Sequence, residues 1–181
     1  MPIADTDIVY RLTIPGAAAG DADAQPDPND SLGDYVSTTV YDKAGNLHEL
    51  FDVVTGTENA ASTVDYRCIA VVNKHATLTL QDAALFISGE TSGGADIAIG
   101  LDPVGVVPLD DTTAQAASPV DENTAPAGVS FSAPTTFATG LAIGDIAPDE
   151  TQCFWLRRTA LAGAAVDADD VSWTVQGDTA A

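Results

Sequence analysis

The residues with types suited to chemistry are few and scattered. Two cysteines, Cys68 and Cys153, and two histidines, His48 and His75, supply all the thiols and imidazoles of the 181-residue chain. A zinc centre draws on cysteines and histidines at short spacings, and neither histidine stands at such a spacing from a cysteine. A hydrolytic triad would join a histidine to a serine and an aspartate, yet no nucleophile elbow frames a serine here. His75 and His48 therefore read as turn or contact residues. An immunoglobulin-type sandwich can bridge an early and a late strand through two cysteines. Strand alternation sets Tyr66, Cys68, Ala70 and Val72 on one face, and it sets Cys153 with Trp155 and Arg157. If Phe154 and Leu156 face the core, Cys153 points away from it, so the pair reads as free thiols used as small apolar residues.

Oxygen ligands are abundant instead. The chain carries 27 acidic residues, 22 of them Asp, against six basic ones, for a net charge of −21. Runs at Asp21, Asp23, Asp27 and Asp30, at Asp110 and Asp111, and at Asp167, Asp169 and Asp170 could hold calcium. None follows the alternating Asp/Asn loop with its glycine and closing glutamate. They read as solvated loops, with no cofactor expected beyond a structural cation at an Asp-rich loop. A glycan-cleaving enzyme would need a convergent carboxylate pair, and 27 dispersed acids single out none. The expectation is a protein that is not an enzyme.

Charge also limits the surroundings. A surface this acidic repels itself at ordinary ionic strength. In molar salt the Debye length falls to about 3 Å and the repulsion is screened. A halophilic, most simply haloarchaeal, source accounts for the excess. Nucleic acid is disfavoured as a partner because no basic patch exists to replace phosphate counterions. No run approaches the ~18 apolar residues of a membrane span, and MPIADTDIVY is unlike a secretory leader. The product is expected to stay where it is made, or to enter a particle assembled there. Against this background the bases stand out. Lys74 and His75 make a basic turn, a candidate contact with an acidic neighbour. Arg157 and Arg158 point to opposite faces of a strand, so at least one should pair with an aspartate on a neighbouring strand or subunit. Trp155 and Trp173 are large enough to serve the core or an interface.

The elements that carry these residues are short and extended. Strands are expected at residues 7–14, 35–41, 66–72, 77–80 with 83–87, 96–101, 128–132, 140–146, 151–159 and 171–176. Residues 47–54 fit a strand or a short helical turn. The segment 65–87, DYRCIAVVNKHATLTLQDAALFI, reads as the core hairpin of the fold, turning at Asn73-Lys74-His75-Ala76. About nine strands with no convincing amphipathic helix predict an all-β, antiparallel β-sandwich, immunoglobulin-like or jelly-roll-like, in one domain. Residues 1–30, with their Pro- and Asp-rich stretch 17–30, are expected as an extended arm or edge strand.

Over nearly its full length the chain resembles a family of small virion-associated proteins of tailed phages and archaeal tailed viruses. The likeness lies in DPNDSLG (27–33), LFDVVTGTENA (50–60), DYRCIAVVNKHATLTL (65–80), IAIGLDP (97–103), DENTAPAGVSFSAP (121–134), FWLRRT (154–159) and VQGDTAA (175–181). The resemblance implies a virion structural component, a sandwich that decorates a capsid or forms part of a tail, and brings no catalytic residues. Expected partners are further copies of the chain and other virion proteins, such as the major capsid protein or tail proteins. The alternatives are a tail or baseplate component and a module binding host-surface glycan or S-layer.

Overall fold

The computed structural model describes residues 2–41, 49–92, 94–164, 166 and 169–179; His48, Lys43 and Asp167 lie outside them. The chain is an antiparallel β-sandwich. Nine strands are described: β1 (Ile8–Ile14), β2 (Tyr35–Val40), β3 (Val64–Asn73), β4 (Leu80–Glu90), β5 (Asp96–Leu101), β6 (Val107–Pro108), β7 (Leu141–Ile146), β8 (Glu150–Thr159) and β9 (Val171–Thr179). The large sheet runs β2-β1-β3-β8-β5, and β6 pairs with β8 beyond the end of β5. The small sheet runs β7-β4-β9.

Side-chain alternation explains how the sheets stack. Leu12, Ile69, Val71, Ile99, Phe154 and Leu156 on one face of the large sheet meet Leu85, Ile87, Ile146 and Trp173 of the small sheet. The opposite face of the large sheet is not solvent. Cys68, Ala70, Val72, Cys153 and Trp155 form a second core there with Val36, Leu109 and Ala116. The cover comes from the loop segments 20–34 and 109–131, so β3 is buried along almost its whole length. That two-sided burial is why β3 reads as a near-continuous apolar run.

Several expectations are corrected by this layout. Residues 65–87 are not a hairpin, because β3 lies in the large sheet and β4 in the small one. Asn73, Lys74 and His75 instead begin a crossover between sheets. The N-terminal segment is neither an arm nor an edge strand: β1 sits between β2 and β3. Tyr10 and Leu12 on one face of β1, and Arg11 and Thr13 on the other, are all buried, which an outlying strand could not provide. The polar stretch after β1 is held too. Gln25 is buried and donates to the carbonyls of Thr13 and Asp30 at 3.3 and 3.2 Å. Residues 128–132 form no strand and contribute one bridge, Ser132 to Ile99. A six-residue helix, α1 (Gly56–Ala61), capped by Thr55, was not expected.

Both outer edges of the large sheet are closed by the chain itself. On β2, the carbonyl of Val36 accepts from Asp21 N–H, and Thr38 N–H donates to Asp23. On β5, Ile99 and Ser132 exchange a pair of backbone hydrogen bonds. Unpaired strand edges invite further strands, and these two are blunted. β7 and β9 remain as the outer strands of the small sheet.

Candidate contact site

The candidate contact residues fall into three places. At the β3 exit, buried Asn73 donates through Nδ2 to the carbonyls of Leu78 and Ile146, both at 2.8 Å, and its Oδ1 accepts from His75 N–H at 2.9 Å. His75 Nδ1 accepts the N–H groups of Thr77 and Leu78 at 3.1 and 3.0 Å. The histidine therefore shapes the turn through backbone hydrogen bonds. Lys74 is bonded to Asp149, whose backbone sits at a positive φ of 57° in the turn before β8. The basic character noticed in the sequence is thus matched by an aspartate of the same chain.

At the opposite end of β3 and β8 the arginines gather. Arg158 donates Nε and Nη2 to Asp65 Oδ2 at 3.0 and 2.6 Å, across the register pair Asp65–Arg158. Both side chains are largely buried, and Asn123 Nδ2 donates to the second Asp65 oxygen at 2.8 Å. Arg67, 1% exposed, bonds Glu122 and the carbonyls of Leu50 and Tyr66. The Phe51 ring lies between the two guanidinium groups, 4.7 Å from that of Arg158 and 5.3 Å from that of Arg67. A desolvated cation against an aromatic face gains from the ring quadrupole. The pairing expected for the Arg157–Arg158 dipeptide is present at Arg158. Arg157 lies over Phe131 at 5.3 Å and has no carboxylate partner among the described residues.

Trp155 is the third place, and it is corrected as a contact residue because it is fully buried. Its Nε1 donates to Asp102 Oδ2 at 2.9 Å. Asp102, also buried, accepts the N–H groups of Ala117 and Val104 at 2.8 and 3.0 Å. One carboxylate thereby ties the strand β8, the loop after β5 and the covering loop together. Gln115 acts alike: Oε1 accepts Val36 N–H at 2.8 Å, and Nε2 donates to the carbonyls of Pro108 and Leu109 at 2.7 and 3.0 Å. Sequence reading missed both residues, and the one available sign was an acid beside Pro at the end of a strand.

The thiols Cys68 and Cys153 are free and buried side by side in the second core. Cys153 does point away from the Phe154 face, as alternation required, but into apolar packing. Burial pushes the Cys68 thiol well up, with its hydrogen bond to Cys153 adding to the effect. A thiol held neutral this way is a poor nucleophile and ligand. Tyr41, stacked 6.0 Å from Trp173, is pushed up to about 12 by burial and by Glu49.

Among the described residues no three acidic, histidine or cysteine side chains converge as metal ligands. Three described acids of the Asp-rich loops are engaged locally: Asp21 bonds Arg11, Asp27 caps the turn at Asn29, and Asp169 accepts Ala95 N–H. Two depressions among the described residues are open and small, about 370 Å³ beside Tyr41 and Glu49 and about 330 Å³ above Arg67. The second is ringed by Asp30, Asp52, Asp121 and Glu122, so its rim is anionic around one committed guanidinium. The chain matches no protein-family model, and no similar curated protein or solved structure is found.

Proposed function

We propose that this chain is a non-enzymatic structural protein of a haloarchaeal tailed virus, a capsid decoration or turret component that assembles as a symmetric oligomer on the particle. The observation that carries the reading is where the charges sit. Arg11, Arg67, Lys74 and Arg158 are each bonded to a carboxylate of the same chain, and among the described acids only Asp65 and Asp102 are buried. The cations fasten loops and strands internally while the remaining carboxylates face outward. Such a body suits brine, where long-range repulsion is screened and apolar burial keeps its driving force. The sequence likeness to virion-associated proteins supports the particle as its location, with the major capsid protein as a partner.

The work of such a protein is association rather than turnover. A double-cored sandwich with blunted large-sheet edges presents preformed surfaces, and the loop layer over its second core is tied down by buried Gln25, Asp102 and Gln115. Antibodies against the chain, applied to purified particles in molar salt, should label the head at symmetric positions in electron micrographs. Labelling confined to the tail would move the protein there. Recovery of the chain only from the particle-free lysate would end the virion reading.

A further inference from the structure

The small sheet has an outer face whose middle carries no charged side chain. Leu85 and Ile87 of β4 and Trp173 of β9 point into the sandwich. Alternation then turns Phe86 of β4 outward, with Ser172, Thr174 and Gln176 of β9 and Ala142 of β7, while Ala84 is buried beside Gly140. Phe86 is partly exposed and belongs to neither core cluster. Beside it the 3-10 turn Phe137–Thr139 packs on β4 and leaves Phe137 41% exposed. β4, β7 and β9 contain no Lys or Arg, and their acids are Asp82, Glu90, Asp145 and Asp178. Asp82, Asp145 and Asp178 gather at one end of the sheet, where Asp145 accepts Asp82 N–H at 3.0 Å and Asp178 pairs in register with Gln81. Glu90 lies at the other end, near Asp169 and Asp170. Between the two acidic ends the face is uncharged.

We propose that this uncharged face, centred on Phe86 and Phe137, is where a second copy of the same chain docks. The proposal rests on the oligomer of the functional reading and names its surface. The occupant follows from charge. A basic partner would gain most from the carboxylate-bearing ends and loops, not from the neutral middle. Two copies of a chain with net charge −21 repel wherever their carboxylates meet, so an isologous contact is least opposed where each presents none. Sheets stack face to face either roughly aligned or crossed at about 90°. Crossing is favoured here, since it swings the acidic ends of one sheet away from those of its mate. Molar salt strengthens the contact by favouring apolar burial as well as by screening.

The test is sedimentation equilibrium of the purified full chain in molar KCl. The wild type should show a concentration-dependent dimer. Phe137→Asp, and separately the near-isosteric Gln176→Glu, should each weaken the dimer at least tenfold. Val120→Asp, at an 89% exposed position outside the small sheet, should leave it unchanged. Phe137 and Gln176 are exposed, and matching near-ultraviolet circular dichroism will show that each variant is folded. A wild type that stays monomeric overturns the proposal, as does a dimer indifferent to both substitutions. Particle binding by the wild type is scored separately. A monomer that still binds particles defeats this contact alone, and a dimer that binds none defeats the virion reading alone.

Discussion

At the scale of single residues, aspartate has more than one role in this chain. Among the described residues, four of the five non-glycine positions at positive φ are Asp21, Asp34, Asp82 and Asp149. Aspartate tolerates the left-handed region better than most side chains because its short carboxylate bonds locally. An excess that looks like surface solvation in the composition also builds turns. Asp102 shows the opposite use, a buried carboxylate that accepts from Trp155, Ala117 and Val104. Asp102→Asn replaces one accepting oxygen with a donor and leaves a buried N–H facing it. The expected loss is about 1–3 kcal/mol, read from denaturant unfolding in molar salt. A change within error would mean the covering loop holds without this carboxylate.

At the scale of elements, the pairing of β3 with β8 sets most of the architecture. Their register runs from Val64–Thr159 to Val72–Thr151 and leaves Asp65 opposite Arg158 at the sheet's end. Leu50 and Phe51 close that end above the two arginines. Removing one partner of a buried pair costs far more than the pair contributes, because the survivor stays charged and desolvated. Arg158→Met should therefore lower stability by about 3–5 kcal/mol, and Asp65→Asn in the same background should recover part of it. Calorimetric or denaturant unfolding of the single and double variants measures this, and additive losses would show no coupling between the two side chains. Lys74 and Asp149 are more exposed, 37% and 70%, so their pair is worth about 0–1 kcal/mol.

At the scale of the whole molecule, the balance between an outward anionic shell and two apolar cores depends on salt. Lengthening the Debye length from about 3 Å in molar salt to about 10 Å at 0.1 M restores repulsion among the loops. The denaturation midpoint should fall steadily as KCl is lowered over that range, followed by near-ultraviolet circular dichroism. A midpoint independent of KCl would contradict a fold adapted to brine. The same repulsion would oppose any contact between copies that brings their carboxylates together, so the proposed dimer should weaken along with the fold as KCl is lowered.

By itself the sequence determined what is local or periodic. Strand positions such as 96–101 and 151–159 were legible because β-branched and aromatic runs end at Asp-Pro or polar turns. The facing of Cys153 against Phe154 was legible because a strand has a period of two. The sandwich class followed from many short strands and the lack of a long amphipathic pattern. Tertiary structure alone decided which sheet each strand joined. The turn at Asn73 could close a hairpin or lead across the sandwich, and its residues suit both. The N-terminal strand proved interior because its neighbours come from residues 35–40 and 64–73, a long-range choice that local composition does not encode. Trp155 is a core residue and not a contact residue for the same reason. What covers the far face of its sheet is a loop layer rich in Asp, Thr and Pro, and polarity in the sequence hides the Gln115 and Asp102 side chains that hold that layer down.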